Sequence, residues 1–160
     1  MIVLGIDPGF TITGFGVIKK ENNKAFLLDY GYLKLPASKS LSARVGIFHR
    51  FFTEKIAQRN ITDISLETSF LGKNAQTFLK LGYLRGILYL LADSHNLVLH
   101  EFPPRQVKQA VTGFGGASKE QVARVVMQFF PTIKLPNKLD VTDALAVTIC
   151  GLWHQKNLRL

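Results

Sequence analysis

Hydrophobic positions along this chain fall into runs of different period, and the periods predict the elements. Ile2-Val3-Leu4-Gly5-Ile6 is an apolar block without polar alternation, the pattern of a strand covered on both faces, and it stops at Asp7-Pro8-Gly9, which is turn chemistry. Ile12 to Lys19 alternates loosely, Glu21-Asn22-Asn23-Lys24 offers a hairpin turn, and Ala25 to Leu35 returns as a third strand ended by Pro36, so an antiparallel meander is expected. Ser40 can cap a helix on which Leu41, Val45, Phe48, Phe52 and Ile56 share one face. Ile61 to Glu67 then reads as a short strand that again ends in an acid. With a helix between them, the first and fourth strands can run parallel in a right-handed crossover, placing Asp7 and Glu67 at one edge of the sheet.

The second half of the chain is predicted in the same way. Thr68 to Asn74 is a loop carrying Phe70 and Lys73, and Ala75 to Ala92 is a helix with leucines and isoleucine on nearly all sides. Such a helix needs cover on more than one face, from a second subunit or from within the monomer, and Gly82 and Gly86 would permit close backbone approach. Leu97 to Leu99 gives a fifth strand. A short helix after Pro103-Pro104 carries Arg105 and Lys108, and Gly113-Phe114-Gly115-Gly116 is expected to be a flexible turn. Ser118 with Gln121 forms a capping box for a helix whose inner face is Val122, Val125, Val126 and Phe129. Lys119 lies in the first turn of that helix, where a cation opposes the helix dipole unless an anion is near. Pro131 and Pro136 bound a connector. The last helix runs from about Leu139 to His154, with Asp140 and Asp143 on one face.

Length and charge narrow the function. A chain of 160 residues with 47% hydrophobic residues and 12 Phe is expected to be a single α/β domain spanning 1–160. Its net charge of +9 favours a polyanionic partner, nucleic acid first, over a basic protein merely kept soluble by its charge. Cys150 stands alone and cannot form an internal disulfide, no run approaches the roughly 20 apolar residues of a membrane span, and no secretory signal opens the chain. A cytoplasmic protein without a membrane partner is the expectation. His49, His95, His100 and His154 occur singly and are read as surface or packing residues.

Four carboxylates remain: Asp7, Glu67, Asp140 and Asp143. Each has a plain reading, turn residues for the strand-end acids and helix N-terminal charges for the other two. Brought together, two unit charges roughly 4 Å apart repel by about 4 kcal/mol at an effective dielectric of about 20, so convergence requires protons or bound cations. All-oxygen ligation selects Mg²⁺ or Mn²⁺, and two such ions about 3.5 to 4 Å apart form a clamp for in-line displacement at a phosphodiester. Acids on a basic chain thus suggest a nuclease.

In order along the chain, Gly5-Ile6-Asp7-Pro8-Gly9 with Thr13-Gly14-Phe15-Gly16, Leu66-Glu67 with Phe70 and Lys73-Asn74, Leu81-Gly82 and Arg85-Gly86, Arg105-Gln106-Val107-Lys108-Gln109, Val111-Thr112-Gly113, Lys119-Glu120-Gln121-Val122 and Asp140-Val141-Thr142-Asp143-Ala144-Leu145-Ala146 resemble the RuvC Holliday junction resolvases. The resemblance spans about Ile2 to Ile149. It implies an RNase H-like fold, a five-stranded mixed sheet flanked by helices, and a homodimer that nicks a four-way DNA junction symmetrically during recombination and repair. It implies that Asp7, Glu67, Asp140 and Asp143 are the catalytic acids and hold Mg²⁺, two ions per active site, with Mn²⁺ as a substitute. By the same resemblance Phe70 stacks on bases near the junction centre, Lys108 and Lys119 contact phosphates, and Lys73 and Arg105 join the DNA-binding set. A branch-migration motor of the RuvA and RuvB type is the implied partner. Tyr83-Leu84 departs from the smaller, more polar pair usual in the family, which bears on the dimer seam. Three rival readings stay open here: an RNA-cutting nuclease of the same fold, an actin-like ATPase or sugar kinase sharing the opening strand and hairpin, and a junction-binding protein without catalysis.

Overall fold

The computed structural model describes residues 1–68, 75–131 and 139–154. Five strands form one mixed sheet: β1 (Ile2–Asp7), β2 (Ile12–Glu21), β3 (Lys24–Lys34), β4 (Asp63–Glu67) and β5 (Val98–Phe102), in the order β3-β2-β1-β4-β5. The first three strands are an antiparallel meander. β4 lies parallel to both β1 and β5. The hairpin closes through Asn22 and Asn23 at φ 48° and 62°, the left-handed pair that a tight turn with the strands' own twist requires. Helices α1 (Leu41–Arg59) and α2 (Ala75–Ser94) cover one face, and α3 (Pro104–Thr112), α4 (Lys119–Phe129) and α5 (Leu139–His154) cover the other.

Because side chains alternate across a strand, the two-sided burial of β1 sorts its residues in a way the unbroken apolar run conceals. Leu4 and Ile6 join the cluster under α1 and α2, whereas Val3 joins the cluster under α5. Gly5 and Asp7 share the Val3 face. On β4, Ile64 and Leu66 face α1 and α2, so Ser65 and Glu67 face α5 as well. The pairing Ile6↔Leu66 then sets Asp7 and Glu67 side by side at the sheet edge, on the face where α5 begins.

Glycines decide how closely α5 can lie on that face. A Cβ on Gly14 would stand 1.9 Å from the Asp140 carbonyl oxygen, and one on Gly5 would stand 2.6 Å from that of Ala144. The helix backbone therefore rests directly on strand backbone. Glycine inside a strand commonly marks such close approach. Thr148 fastens the contact, donating to Ala144 O at 2.7 Å and reaching Gly16 O at 3.3 Å.

The caps follow the sequence. Ser40 accepts from Ala43 N, and Ser118 and Gln121 form both halves of the capping box. Several expectations need correction. The strand expected at Leu97 to Leu99 runs from Val98 to Phe102, since Asn96 at φ 53° turns the chain before it. The 113–116 turn is tied down: Gln109 donates to Gly113 O at 2.7 Å and accepts from Gly115 N at 2.9 Å, and Thr112 Oγ1 bonds both Phe114 N and Phe114 O. Phe129, expected on the inner face of α4, lies at the rim against Trp153, and Leu41 is exposed at the start of α1. His100, in the middle of β5, is held by Asp63 at 2.9 Å and packs against Phe102 and His154, a packing role. Burial alone would raise the Asp63 carboxyl, but the hydrogen bonds from His100 and Thr62 outweigh it and hold it below the usual range. Cys150 is buried, and burial pushes its thiol up to about 12. Among the described residues no helix is long and apolar enough to cross a membrane.

The face of α2 turned away from the sheet resolves one open choice. Leu84, Arg85, Leu88, Leu91 and Ala92 are buried, while Phe78, Leu79 (55% exposed), Tyr83 and Leu90 (53% exposed) are not. A Cβ on Gly82 or Gly86 would meet nothing within 4 Å. Within the described chain the helix is thus half covered, not sandwiched.

Candidate active site

The α5-facing edge of β1 and β4 opens into a pocket lined by Asp7, Glu67, Lys108, Lys119 and Asp143, with Pro104 at its rim. Asp7 and Glu67 come from adjacent strand ends. Asp143 comes from the second turn of α5, a helix that the glycine contacts bring down onto β1 and β2. Lys108 and Lys119 come from α3 and α4, the two helices packed beside α5.

Electrostatics reveals how crowded the acids are. Asp7 is raised from its ordinary 3.8 to about 7, chiefly by burial and then by the charges of Asp143, Asp140 and Glu67, with Lys119 opposing. Burial and the Asp143 charge also raise Glu67, against the pull of Lys119 and Lys108. Asp140 therefore acts on Asp7 across the site, although it does not line the pocket with the other three. Lys119 supplies a cation beside these charges: its Nζ donates to Asp143 Oδ2 at 2.6 Å, and this bond raises its own pKa. The anion that its place in the first turn of α4 called for is Asp143.

Among the described residues, no three of the His, Cys, Asp and Glu side chains stand close enough to form a ready-made metal cage. The donor chemistry nevertheless fits a hard divalent cation. Every candidate ligand is a carboxylate oxygen, and the burial and repulsion that lift Asp7 to about 7 are what a captured dication would offset. Lys119 alone leaves that repulsion only partly compensated.

Of the other predicted site residues, Arg105 is exposed on α3, outside the lining of this pocket. Phe70, Lys73 and Pro136 lie outside the described residues. Sequence reasoning passed over Gly5 and Gly14 as site-forming residues; their signal was glycine at alternate positions inside strands. It gave Arg85 no role at the site, although Arg85-Gly86 is among the motifs that carry the resemblance.

The family profile described as Crossover junction endodeoxyribonuclease RuvC matches residues 3–151. The chain belongs to this family. Its relatives include the RuvC of Pelodictyon phaeoclathratiforme, 44% identical over 152 residues that cover 95% of this chain and 80% of that protein. The RuvC of Halothermothrix orenii is 37% identical over 160 residues, covering 100% and 95%. Among solved structures, Thermus thermophilus RuvC in complex with a Holliday junction substrate superposes with a TM-score of 0.89 at 30% identity, covering 98% of this chain and 95% of that one. The yeast mitochondrial resolvase Ydc2 superposes at 0.67 with 15% identity over 92% and 76%, which speaks for the fold alone. The fold is the RNase H-like fold.

Proposed function

We propose that this chain resolves four-way DNA junctions by hydrolysing two symmetrically placed phosphodiesters, one in each active site of a homodimer. As a member of the family it is a structure-selective, junction-resolving endodeoxyribonuclease whose chemistry depends on a divalent metal. The observation that carries the finer reading is one pocket in which Asp7, Glu67 and Asp143 meet beside Lys108 and Lys119.

In this reading Asp7, Glu67, Asp140 and Asp143 hold the metal, Mg²⁺ with Mn²⁺ as a substitute, in two sites. The ions would supply an activated water and charge stabilisation at the leaving oxygen. The carboxylates bind and orient them. Lys119, on the outer side of Asp143, and Lys108 neutralise the phosphates on either side of the cut. Phe70 stacks on an unpaired base at the crossover, and Lys73 and Arg105 extend the basic track along the arms.

The exposed face of α2 supports the homodimer. Phe78, Leu79, Tyr83 and Leu90 flank the open space over Gly82 and Gly86, so a second copy of the helix could lie against it closely. A two-fold dimer suits a junction that is itself nearly two-fold symmetric. The same reading takes residues 1–160 as a single nuclease domain, places it in the cytoplasm, and gives it a RuvA and RuvB type branch-migration motor as partner.

The deciding experiment is incubation with a synthetic mobile four-way junction and Mg²⁺ or Mn²⁺, with both nicks mapped. Paired nicks at symmetric positions are expected. Faster cutting of RNA duplex, ATP binding without junction binding, or junction binding without nicks would overturn the reading in favour of the three rivals in turn.

A further inference from the structure

Glu67 is the last residue of β4, and its backbone is gripped from an unexpected direction. Arg85, the one charged residue among the buried positions of α2, donates from Nη1 to the Glu67 carbonyl oxygen at 2.7 Å. Its Nη2 donates to Glu101 Oε1 on β5 and lies 3.4 Å from Tyr89 Oη, while Tyr89 donates to the same Glu101 oxygen at 2.9 Å. One guanidinium thereby ties α2, the end of β4 and the neighbouring position of β5.

A guanidinium is costly to bury unless its donors are matched, and this side chain is only 11% exposed. A simple structural staple could join α2 to Glu101 alone. Two further features point to the site. The bond from Nη1 ends on the carbonyl of Glu67, so it fixes the peptide next to the Glu67 side chain. Arg85 also lines two recesses at once, one shared with Asp7 and Glu67 and the other with Phe78, Gly82 and Tyr89 on the outer side of α2. It is the partition between the carboxylates and the exposed face of that helix. Strand alternation turns Glu101, paired in register with Leu66, to the α2 side, where Arg85 neutralises it.

We propose that Arg85 is a positioning residue for Glu67: by holding the Glu67 carbonyl while Glu101 anchors the guanidinium on the α2 side, it presents the Glu67 carboxylate to the metal. The proposal rests on the reading of Glu67 as a metal ligand. Groups that orient a metal's ligands typically change metal affinity or activity by about 10- to 100-fold when removed.

The test compares Glu101→Gln, in which Arg85 keeps its bond to the Glu67 carbonyl but loses its counter-charge, with the double variant Glu101→Gln/Arg85→Met, in which both charges are gone. Two quantities are read: the Mn²⁺-induced rise in unfolding midpoint without DNA, and the Mn²⁺ concentration giving half-maximal nicking at saturating junction. The double variant should show a smaller Mn²⁺-induced rise and need about tenfold or more Mn²⁺, with unchanged junction affinity in EDTA. A staple role would leave both metal readouts where Glu101→Gln has them, whatever the midpoint in EDTA, and that result would overturn the proposal. If the double variant melts below assay temperature, Arg85→Lys serves instead, because one ammonium cannot span both the Glu67 carbonyl and Glu101; an unchanged Mn²⁺ requirement in that variant would overturn the proposal equally. A wild-type protein that fails to nick junctions but gains stability from Mn²⁺ would refute the proposed function and still support the role of Arg85 if the double variant loses that gain. No Mn²⁺ response at all in the wild type would sink the metal-ligand reading and the proposal with it.

Discussion

Asp7→Asn should do two opposite things, abolishing nicking while stabilising the metal-free fold above neutral pH. The folded-state pKa of about 7 lies above the ordinary 3.8, so between these values the folded protein binds a proton that the unfolded chain has released. Stability conferred by this group is therefore lost as pH rises from about 4 to 7 and stays lost above it. At about 1.4 kcal/mol per pH unit the full cost of ionising Asp7 would be about 4 kcal/mol, and residual solvent contact and salt should reduce it to about 2 kcal/mol. Asn keeps the shape and removes the charge. Urea unfolding in EDTA should accordingly show the variant about 2 kcal/mol more stable than the wild type at pH 8 and nearly equal to it at pH 4, with the difference shrinking when Mn²⁺ is added to the wild type. A difference that is the same at both pH values, or a less stable variant at pH 8, would refute the claim that burial and carboxylate crowding together oppose ionisation of Asp7.

Other consequences can be checked separately. Gly14→Ala would place a methyl 1.9 Å from the Asp140 carbonyl and lift the start of α5, so nicking should fall by about 100-fold while circular dichroism stays native; undiminished activity would contradict the close-approach argument. Leu79→Glu, on the exposed face of α2, should shift the protein toward monomer in sedimentation velocity without lowering its melting temperature, and an unchanged dimer would move the interface elsewhere. Lys119→Ala should reduce the slope of log affinity for the junction against log salt by about one, and an identical slope would remove Lys119 from the DNA contacts.

The elements were legible in the sequence because local rules fix them. Asn22-Asn23 made the hairpin, Ser40 and Ser118 with Gln121 started their helices, and the acids ending β1 and β4 were visible as strand-end residues. The resemblance in ordered motifs supplied the family, which the comparisons with relatives bear out. Tertiary structure had to decide the rest. The unbroken apolar run of β1 hides which face Asp7 takes, since a strand buried on both sides has no polar alternation to read. The descent of α5 onto Gly5 and Gly14, which brings Asp143 beside Asp7 and Glu67, depends on backbone contacts between segments about 130 residues apart in sequence. Whether α2 was sandwiched or half bare could not follow from a helix apolar on every side. Arg85 stood in a recognised Arg-Gly motif, but nothing in the sequence tied its guanidinium to the Glu67 carbonyl. Periodicity reports how a segment meets its own surroundings, whereas a site assembled from five separate elements exists only once those elements are packed together.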